Sequence, residues 1–418
     1  MNLRNLFVPA IVAAAAGVLG VGLPGCGKSG GDAKKIKIVS CLPRTGSAQG
    51  QTNTIVNGIR MAIDEYGGKV AGMDIEYLDW DDATAAADGW AAEAETARAQ
   101  EAANDPSVAA FIGPYNSGAC KFSAPILNEA GLVQISPAVT GPGFTKPGFF
   151  PNEPDQFRPA KKLTFCRVVP TDDRQSLIGA AYARDVLKAK TVYLLDDTQV
   201  YGKGIADLFE KVSADIGLKI LGRDSINEKA TDYRALMKKI ADLKPDLIYF
   251  GGTTQTKAGQ VAKDMKDSGM TCPMMAPDGC YENAFITSAG ADTANGRCYV
   301  TFGGLDPSKL TTGAGKKFVD GYKAKYGNMP EAYAIYGYEC AKVVLDAIQT
   351  VGKNDREAIR AAVLATKNFK NGALGEWSFD ENGDTTLAEF TVSKIVGGEF
   401  KPDKEYKAAE IAALKKKK

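Results

Sequence analysis

The side chains best suited to binding chemistry lie in a loop that follows an apolar run at 108–112. Ser117 stands where the N-cap of the next predicted helix would be, so its hydroxyl and the backbone N–H groups of the first turn can face one anion together. A second polar loop, 136–140, follows the next apolar run. The sequence therefore predicts an anion-binding site, with the simpler alternative that Ser117 only caps its helix and Ser136-Pro137 only turns the chain.

The elements that must position these loops read as strand, loop, helix and strand between 108 and 136. Both loops leave the carboxyl ends of neighbouring parallel strands, which is the edge of an open α/β sheet where ligands bind. Strand and helix patterns alternate from Ile36 onward and begin afresh after Pro170-Thr171-Asp172. We therefore predict an α/β protein with two similar units.

The last third of the chain adds helices and a β-rich tail but no third complete unit. The simplest arrangement has two Rossmann-like lobes joined by a multi-crossover hinge, which allows the lobes to close on a ligand. The predicted N-terminal lobe comprises 35–170 and 303–386, and the predicted C-terminal lobe comprises 171–302 and 387–410.

Composition excludes several classes of function. The chain has 418 residues and a net charge of +1, which gives no basic surface for nucleic acid. It contains no histidine, which removes histidine-based acid–base catalysis, triads and histidine-ligated metals. None of the eight cysteines forms a C-x-x-C pair. We predict no enzymatic activity, no cofactor and no metal.

The amino terminus predicts export. Residues 1–25 read as a signal peptide, and Leu23-Pro24-Gly25-Cys26 resembles the bacterial lipobox, which implies lipidation of Cys26 and a tether at 26–34. Alternatives are a conventional secretory peptide or an uncleaved anchor. Gly22–Ser29 matches the phosphate-loop pattern but lacks its flanking strand and helix. In an oxidising compartment some cysteines can pair, and Cys272 with Cys280 is the first candidate.

An acidic pair, Asp81-Asp82, is predicted to open an alanine-rich helix that runs to about Ala103. Carboxylates are common in a first helical turn because they face its positive end. That role is favoured here over a catalytic dyad or a metal site.

The chain from Ile36 to about Phe400 resembles the leucine/isoleucine/valine-binding protein family, the type I periplasmic solute-binding proteins of ABC importers. The resemblance rests on the order and spacing of these local patterns: Ile112-Gly113 with Ser117, Ser136-Pro137-Ala138-Val139-Thr140, Phe165-Cys166-Arg167, Pro170-Thr171-Asp172, Tyr201-Gly202-Lys203-Gly204, Tyr249-Phe250-Gly251-Gly252 and Ala276-Pro277-Asp278-Gly279.

The resemblance implies roles for individual residues. A ligand carboxylate would be held by the Ser117 hydroxyl together with groups at Ala138 and Thr140, and a ligand ammonium would meet Asp278. Tyr201 would help to close the cleft. The pairing is physically sensible because a zwitterion taken from water needs donors for one charge and an acceptor for the other. The alternatives are that Asp278 belongs only to a Pro-Asp-Gly turn and that Tyr201 is a core or surface residue.

Departures from the family pattern bear on the ligand. Thr253 stands where branched-chain amino-acid binders carry an aromatic residue, so this wall is smaller or more polar. The remaining pocket wall, predicted at Arg44, Tyr115, Asn116 and Tyr333, is less aliphatic than a leucine site would need. If Arg44 points inward, an acidic or amide-bearing ligand fits; otherwise it is a solvated arginine.

The resemblance thus implies a membrane-tethered extracytoplasmic receptor that binds an amino acid, branched-chain-like or polar, and presents it to ABC permease subunits. Two alternatives remain at this point. One is a receptor for an amide, urea or a small carboxylate. The other is a ligand-sensing domain that signals to a membrane partner.

Overall fold

The computed structural model describes residues 35–416, which fold around two mostly parallel β-sheets. The strands are β1 (Lys35–Leu42), β2 (Lys69–Val70), β3 (Met73–Asp81), β4 (Ala83–Thr84), β5 (Gly89–Trp90), β6 (Val108–Ile112), β7 (Val133–Ser136), β8 (Phe165–Arg167), β9 (Thr191–Asp196), β10 (Lys219–Ser225), β11 (Leu247–Gly251), β12 (Met274–Ala276), β13 (Cys298–Gly303), β14 (Phe390–Val396) and β15 (Glu399–Tyr406). The α-helices are α1 (Gln49–Glu65), α2 (Ala92–Asn104), α3 (Ser117–Glu129), α4 (Asp172–Asp185), α5 (Val200–Ile216), α6 (Arg234–Asp242), α7 (Ala258–Asp267), α8 (Asn283–Ala289), α9 (Ala291–Ala294), α10 (Gly313–Tyr326), α11 (Ala334–Val351), α12 (Arg356–Leu364) and α13 (Ala408–Lys416).

The first sheet has the strand order β2-β3-β1-β6-β7-β8, and all neighbours except β2 and β3 pair in parallel. The second has the order β10-β9-β11-β12-β13-β14-β15, with β14 and β15 antiparallel. Every residue of the central strands β6, β7, β11 and β12 is buried. Continuous apolar runs form these strands because helices cover both faces of a parallel sheet.

The chain passes between the two sheets three times: from β8 to α4, from β13 to α10, and from α12 to β14. After the second passage α11 packs closely on α1. Glycine makes this approach possible, since a Cβ on Gly58 would lie 2.1 Å from the Ala334 carbonyl oxygen. Three connections of this kind suit a two-lobed α/β fold; the lobe boundaries given above stay a prediction.

The prediction that a helix begins at Asp81-Asp82 is wrong. Strand β3 continues to Asp81, a small hairpin of β4 and β5 follows, and α2 begins only at Ala92. The hairpin delivers Trp90 onto the first turn of α3, where a Cβ on Gly118 would lie 2.3 Å from the indole. Tertiary packing of this aromatic ring therefore overrides the helical propensity of the alanines.

The prediction of a disulfide between Cys272 and Cys280 is also wrong. All seven cysteines among the described residues are free thiols. Cys272 precedes β12, whereas Cys280 follows it and lies buried with its Sγ 3.7 Å from the Gly252 carbonyl oxygen. The strand holds the two residues at opposite ends, which is incompatible with disulfide geometry.

The predictions for the signal peptide, the phosphate-loop-like segment, the tether and the lipidation of Cys26 lie outside the described residues. Of the helices within 35–416, none has both the length and the apolar character needed to span a membrane.

Candidate functional site

The carboxyl ends of strands from both sheets meet at one small cavity. It brings together eight of the ten cleft residues singled out from the sequence, plus one glycine. These lining residues are Tyr115, Asn116, Ser117, Ala138, Tyr201, Thr253, Asp278, Gly279 and Tyr333. The site therefore forms where an open α/β sheet is expected to bind ligands.

The first wall of the cavity is the amino end of α3. Asn116, in extended conformation, is the N-cap, and Ser117 is the first helical residue rather than the cap predicted from the sequence. No side chain caps this helix. The hydroxyl of Ser117 is thus not consumed by capping, and it faces the cavity beside the free N–H groups of the first turn. The buried Oδ1 of Asn116 has no hydrogen-bond partner among the described residues.

The loop after β7 supplies Ala138. The hydroxyl of Ser136 donates to the Pro114 carbonyl oxygen at 2.9 Å and accepts from the backbone N–H groups of Ala138 and Val139 at 3.1 and 2.8 Å. This one side chain therefore links the two predicted binding loops and sets the course of the second.

Thr140 does not line the cavity. It is buried beside Asp172, and its carbonyl oxygen accepts a hydrogen bond from the backbone N–H of Asp172 at 3.0 Å. Its Oγ1 makes no hydrogen bond of normal geometry to another described residue. The predicted place of Thr140 in the carboxylate-binding set is therefore not reproduced in this conformation.

The second wall is the turn after β12, whose central residue is Asp278. Its carboxylate is fully buried and accepts three side-chain hydrogen bonds, from Gln175 at 2.9 Å and from the hydroxyls of Tyr201 and Tyr333. Oδ1 accepts two of them and Oδ2 accepts one, so the four lone-pair positions of the carboxylate are not all used by side chains. Asp278 is thus a convergent acceptor and not merely a turn residue.

The charge at this wall is uncompensated. Gln175 donates to Asp172 at 3.1 Å as well as to Asp278, so one amide bridges two buried carboxyl groups. Burial raises the pKa of both carboxyls, and the like charge of Asp278 raises that of Asp172 further. The cavity lining contains no lysine or arginine among the described residues. This arrangement favours a cationic group in the cavity.

No pattern in the sequence pointed to Gln175, which lies in the first turns of α4. Asp172 was noted only as part of the Pro170-Thr171-Asp172 pattern. A polar residue three positions after a helix-start acid is common on exposed surfaces, and only the fold shows that this one is buried.

Three tyrosines and Thr253 complete the cavity. Tyr115 and Tyr333 meet edge to face with ring centroids 6.0 Å apart. Thr253 and Tyr201 both approach Gly279 so closely that a Cβ on this glycine would lie 2.8 Å from Thr253 Cγ2 and 3.0 Å from Tyr201 Cε1. The glycine therefore lets Tyr201 and Thr253 converge on Asp278.

We expect Gly279→Ala to lower the free energy of unfolding by about 1–3 kcal/mol, because the added methyl group overpacks this contact. Urea unfolding measures the effect. Gly50→Ala is the matched control: it lies in α1 with nothing within 4 Å of the new methyl group, and we expect no loss of stability. An equal loss in both variants would contradict the role of close packing at Gly279.

The cavity is narrow in this conformation. Its volume is about 20 Å³, whereas two adjoining cavities of about 250 and 450 Å³ are also lined by Ser117 and Tyr201. A space of 20 Å³ accommodates a water molecule but not an amino acid. A ligand that reaches Asp278 must therefore displace the Tyr201 side chain or widen the space between the walls.

Arg44 is not part of the cavity. Its guanidinium donates to Asp79 at 2.8 Å, Thr52 at 3.0 Å and Asn53 at 2.9 Å. These contacts hold the partly exposed side chain against β3 and α1, away from the cavity.

A family model described as periplasmic binding protein matches residues 35–399. The Leu/Ile/Val-binding protein homolog 1 of Brucella suis is 30% identical over 288 residues, which is 68% of this chain and 71% of that protein.

Two solved structures are similar along nearly their whole length. The leucine-binding protein LivK of Thermotoga maritima has a TM-score of 0.79 and 26% identity, and the match covers 90% of this chain and 99% of that one. The substrate-binding protein LivJ of Streptococcus pneumoniae, solved with isoleucine, has a TM-score of 0.76 and 25% identity, and the match covers 89% of this chain and 99% of that one. The expected two-lobed fold is thereby confirmed, and the chain belongs to the leucine/isoleucine/valine-binding group of the periplasmic binding protein family.

Proposed function

We propose that this protein is an extracytoplasmic receptor that binds an amino acid between its lobes and delivers it to the permease of an ABC importer. The observation that carries the proposal is the buried Asp278 carboxylate, which has no cationic partner within residues 35–416 and shares one cavity with the amino end of α3. Two opposite charges on one small ligand would match these two walls.

The carboxylate end of the ligand binds at Ser117. A helix amino terminus offers unsatisfied N–H groups and a partial positive charge, and the Ser117 hydroxyl adds a donor. The ammonium end binds at the Asp278 carboxylate, which lines the cavity and gathers the donors of Gln175, Tyr201 and Tyr333. A buried charge without a partner costs several kcal/mol, so a ligand that lacks either group would bind much more weakly.

The side chain of the ligand occupies space next to Tyr115, Asn116, Thr253 and Tyr333. Two tyrosine rings offer apolar surface, while Thr253 and the unpartnered Asn116 amide offer polar contacts. The isoleucine complex of the similar Streptococcus pneumoniae protein supports a branched-chain amino acid, and the polar wall supports a related polar one.

Because the cavity in this conformation is too small for an amino acid, the hinge would first open to admit the ligand and then close on it. The three passages between the sheets would absorb the rotation, and Tyr201, at the start of α5, would move with the second lobe onto the ligand. Lipidation at Cys26 would hold the receptor at the membrane, and family membership implies an extracytoplasmic location. No covalent step is needed, so we assign no enzymatic activity.

A thermal-shift screen of amino acids, amides, urea and small carboxylates tests the proposal. We expect a branched-chain or polar L-amino acid to raise the melting temperature, since a ligand at 100 times its dissociation constant adds about 2.7 kcal/mol of stability. The matched pair is the amino acid and its des-amino acid, which keeps the carboxylate but lacks the ammonium. Equal shifts for both would contradict the zwitterion site and favour a receptor for small carboxylates.

A further inference from the structure

A second cluster of chemically reactive side chains lies inside the first lobe, away from the cavity. Cys41 at the end of β1, Asp82 after β3, and Glu95 in the first turn of α2 direct one ligand atom each to a common point. These three atoms all lie within 4.8 Å of one another, and the Cys41 thiol donates to Glu95 Oε2 at 3.2 Å. Each of the three residues is fully buried.

The hydrogen-bonding capacity of this cluster is only partly filled. Glu95 has Cys41 and Ser123 as hydrogen-bond partners, and it bonds to Asp82 when one of the two carboxyls is protonated. With both carboxyls ionised, both oxygens of Asp82 and Oε1 of Glu95 are buried without a partner among the described residues. Buried carboxylate oxygens are almost always paired, so three orphaned oxygens at one point call for a cation or a proton.

Within residues 35–416, no basic side chain forms an ion pair with Asp82 or Glu95. Arg98 acts electrostatically on Cys41, but its guanidinium is paired with Glu101 at 2.8 Å and rests on the Trp80 ring.

We propose that Cys41, Asp82 and Glu95 form a binding site for a divalent transition-metal ion of the zinc type. Zinc combines thiolate and carboxylate ligands, with Zn–S near 2.3 Å and Zn–O near 2.0–2.2 Å, and a contact of 3.2 Å between Sγ and Oε2 suits two ligands of one ion. A hard ion such as magnesium does not select a thiolate. On binding, the thiol proton and any proton held by the carboxyls leave to solvent, and three ligands leave one position of a tetrahedral ion open.

A bound ion would connect the ends of β1 and β3 to α2. Helix α2 in turn packs against α3, which carries Ser117. The carbonyl of Cys41 also contacts the loop at Gly113, where a Cβ would lie 2.4 Å from it. A bound ion would therefore stiffen the support of the anion-binding wall without touching the ligand.

Refolding of the full chain tests the proposal. The protein is unfolded in urea with a chelator, refolded with or without one equivalent of zinc, desalted, and assayed by atomic absorption and by its urea midpoint. We expect about one retained zinc ion per chain and a higher midpoint with zinc. Cys41→Ser and Glu95→Gln should each reduce retained zinc at least about tenfold, since they remove a direct ligand.

Cys120→Ser is the matched control, because Cys120 is also a buried thiol of this lobe but lies outside the cluster; it should retain zinc. Cobalt gives an independent readout, as a thiolate-to-cobalt absorption band should be present in wild type and lost in Cys41→Ser even if Glu95→Gln does not fold. Wild-type protein that retains no more metal than Cys41→Ser would overturn the proposal and identify the cluster as a carboxyl pair that shares a proton.

Discussion

Replacing Asp278 with asparagine is expected to weaken amino-acid binding at least about 30-fold while leaving the ligand-free protein as stable as before. Removing one partner of a buried charge pair costs about 2–5 kcal/mol of binding free energy. Without ligand, however, the Asp278 charge has no cation to lose, and burial already raises the pKa of this carboxyl. Calorimetric titration with the amino acid that gives the largest thermal shift measures the first effect, and urea unfolding measures the second.

The control for this variant is Asp264→Asn. Asp264 is likewise a buried carboxylate, which accepts from the Tyr233 backbone N–H at 2.6 Å, but it does not line the cavity. We expect it to change stability and not affinity. Unchanged affinity in the Asp278 variant would remove the ammonium site and with it the proposed mechanism.

The same carboxylate predicts a pH dependence. The ligand ammonium needs ionised Asp278, and the pKa of that carboxyl is raised by burial in the ligand-free protein. Affinity should therefore fall as the pH drops through this raised pKa, at a pH above the ordinary aspartate range. The Asp278→Asn variant has no such group, so its weaker binding should lack this step.

The parallel strands could be predicted from the sequence almost residue by residue. Short continuous apolar runs such as 108–112 and 247–250 lack the spacing of an amphipathic helix, so their pattern favours buried strands, which the structure has there. The error at Asp81-Asp82 has a different origin, because helix propensity is a local quantity and the contact of Trp90 with Gly118 is not. Because Trp90 and Gly118 are far apart in the sequence, a local pattern cannot predict their contact.

The candidate site could be predicted in outline from the loops and the family pattern, but not its internal pairing. Asp278 and Tyr201 could be predicted to share a cleft; that Tyr201, Tyr333 and Gln175 all donate to one carboxylate depends on side-chain directions. Arg44 shows the converse. Its type and loop position suited a pocket, yet Asp79, Thr52 and Asn53 together satisfy its guanidinium better than an unfilled cleft could.

A buried ion pair positions the loop that follows β7. The guanidinium of Arg167 is fully buried and donates to Asp384 at 2.7 Å, and it also donates to the carbonyl oxygens of Val139 and Gly141 at 2.9 and 2.7 Å. Burial alone would raise the pKa of Asp384, but Arg167 and Lys146 outweigh it and the pKa is lowered. A lowered folded-state pKa means that the pair stabilises the protein above the ordinary aspartate pKa and that this stability is lost as the pH falls through the folded value.

We expect Arg167→Met to reduce the free energy of unfolding by about 3 kcal/mol at neutral pH, the lower end for a broken buried pair. The variant leaves buried Asp384 with Lys146, at 3.2 Å, as its remaining cationic partner, and it frees two loop carbonyls. Urea unfolding of Arg167→Met, Asp384→Asn and the double variant measures it. The double variant should lose less than the sum of the single losses, since no unpaired charge remains. Arg98→Met is the contrasting control: Arg98 pairs with Glu101 at 2.8 Å at the surface, where the two side chains are 40% and 52% exposed, so its loss should cost about 1 kcal/mol or less. The deficit of Arg167→Met should shrink towards acid pH as Asp384 protonates, and a deficit independent of pH would mean that the loop carbonyls, not the ion pair, dominate this contact.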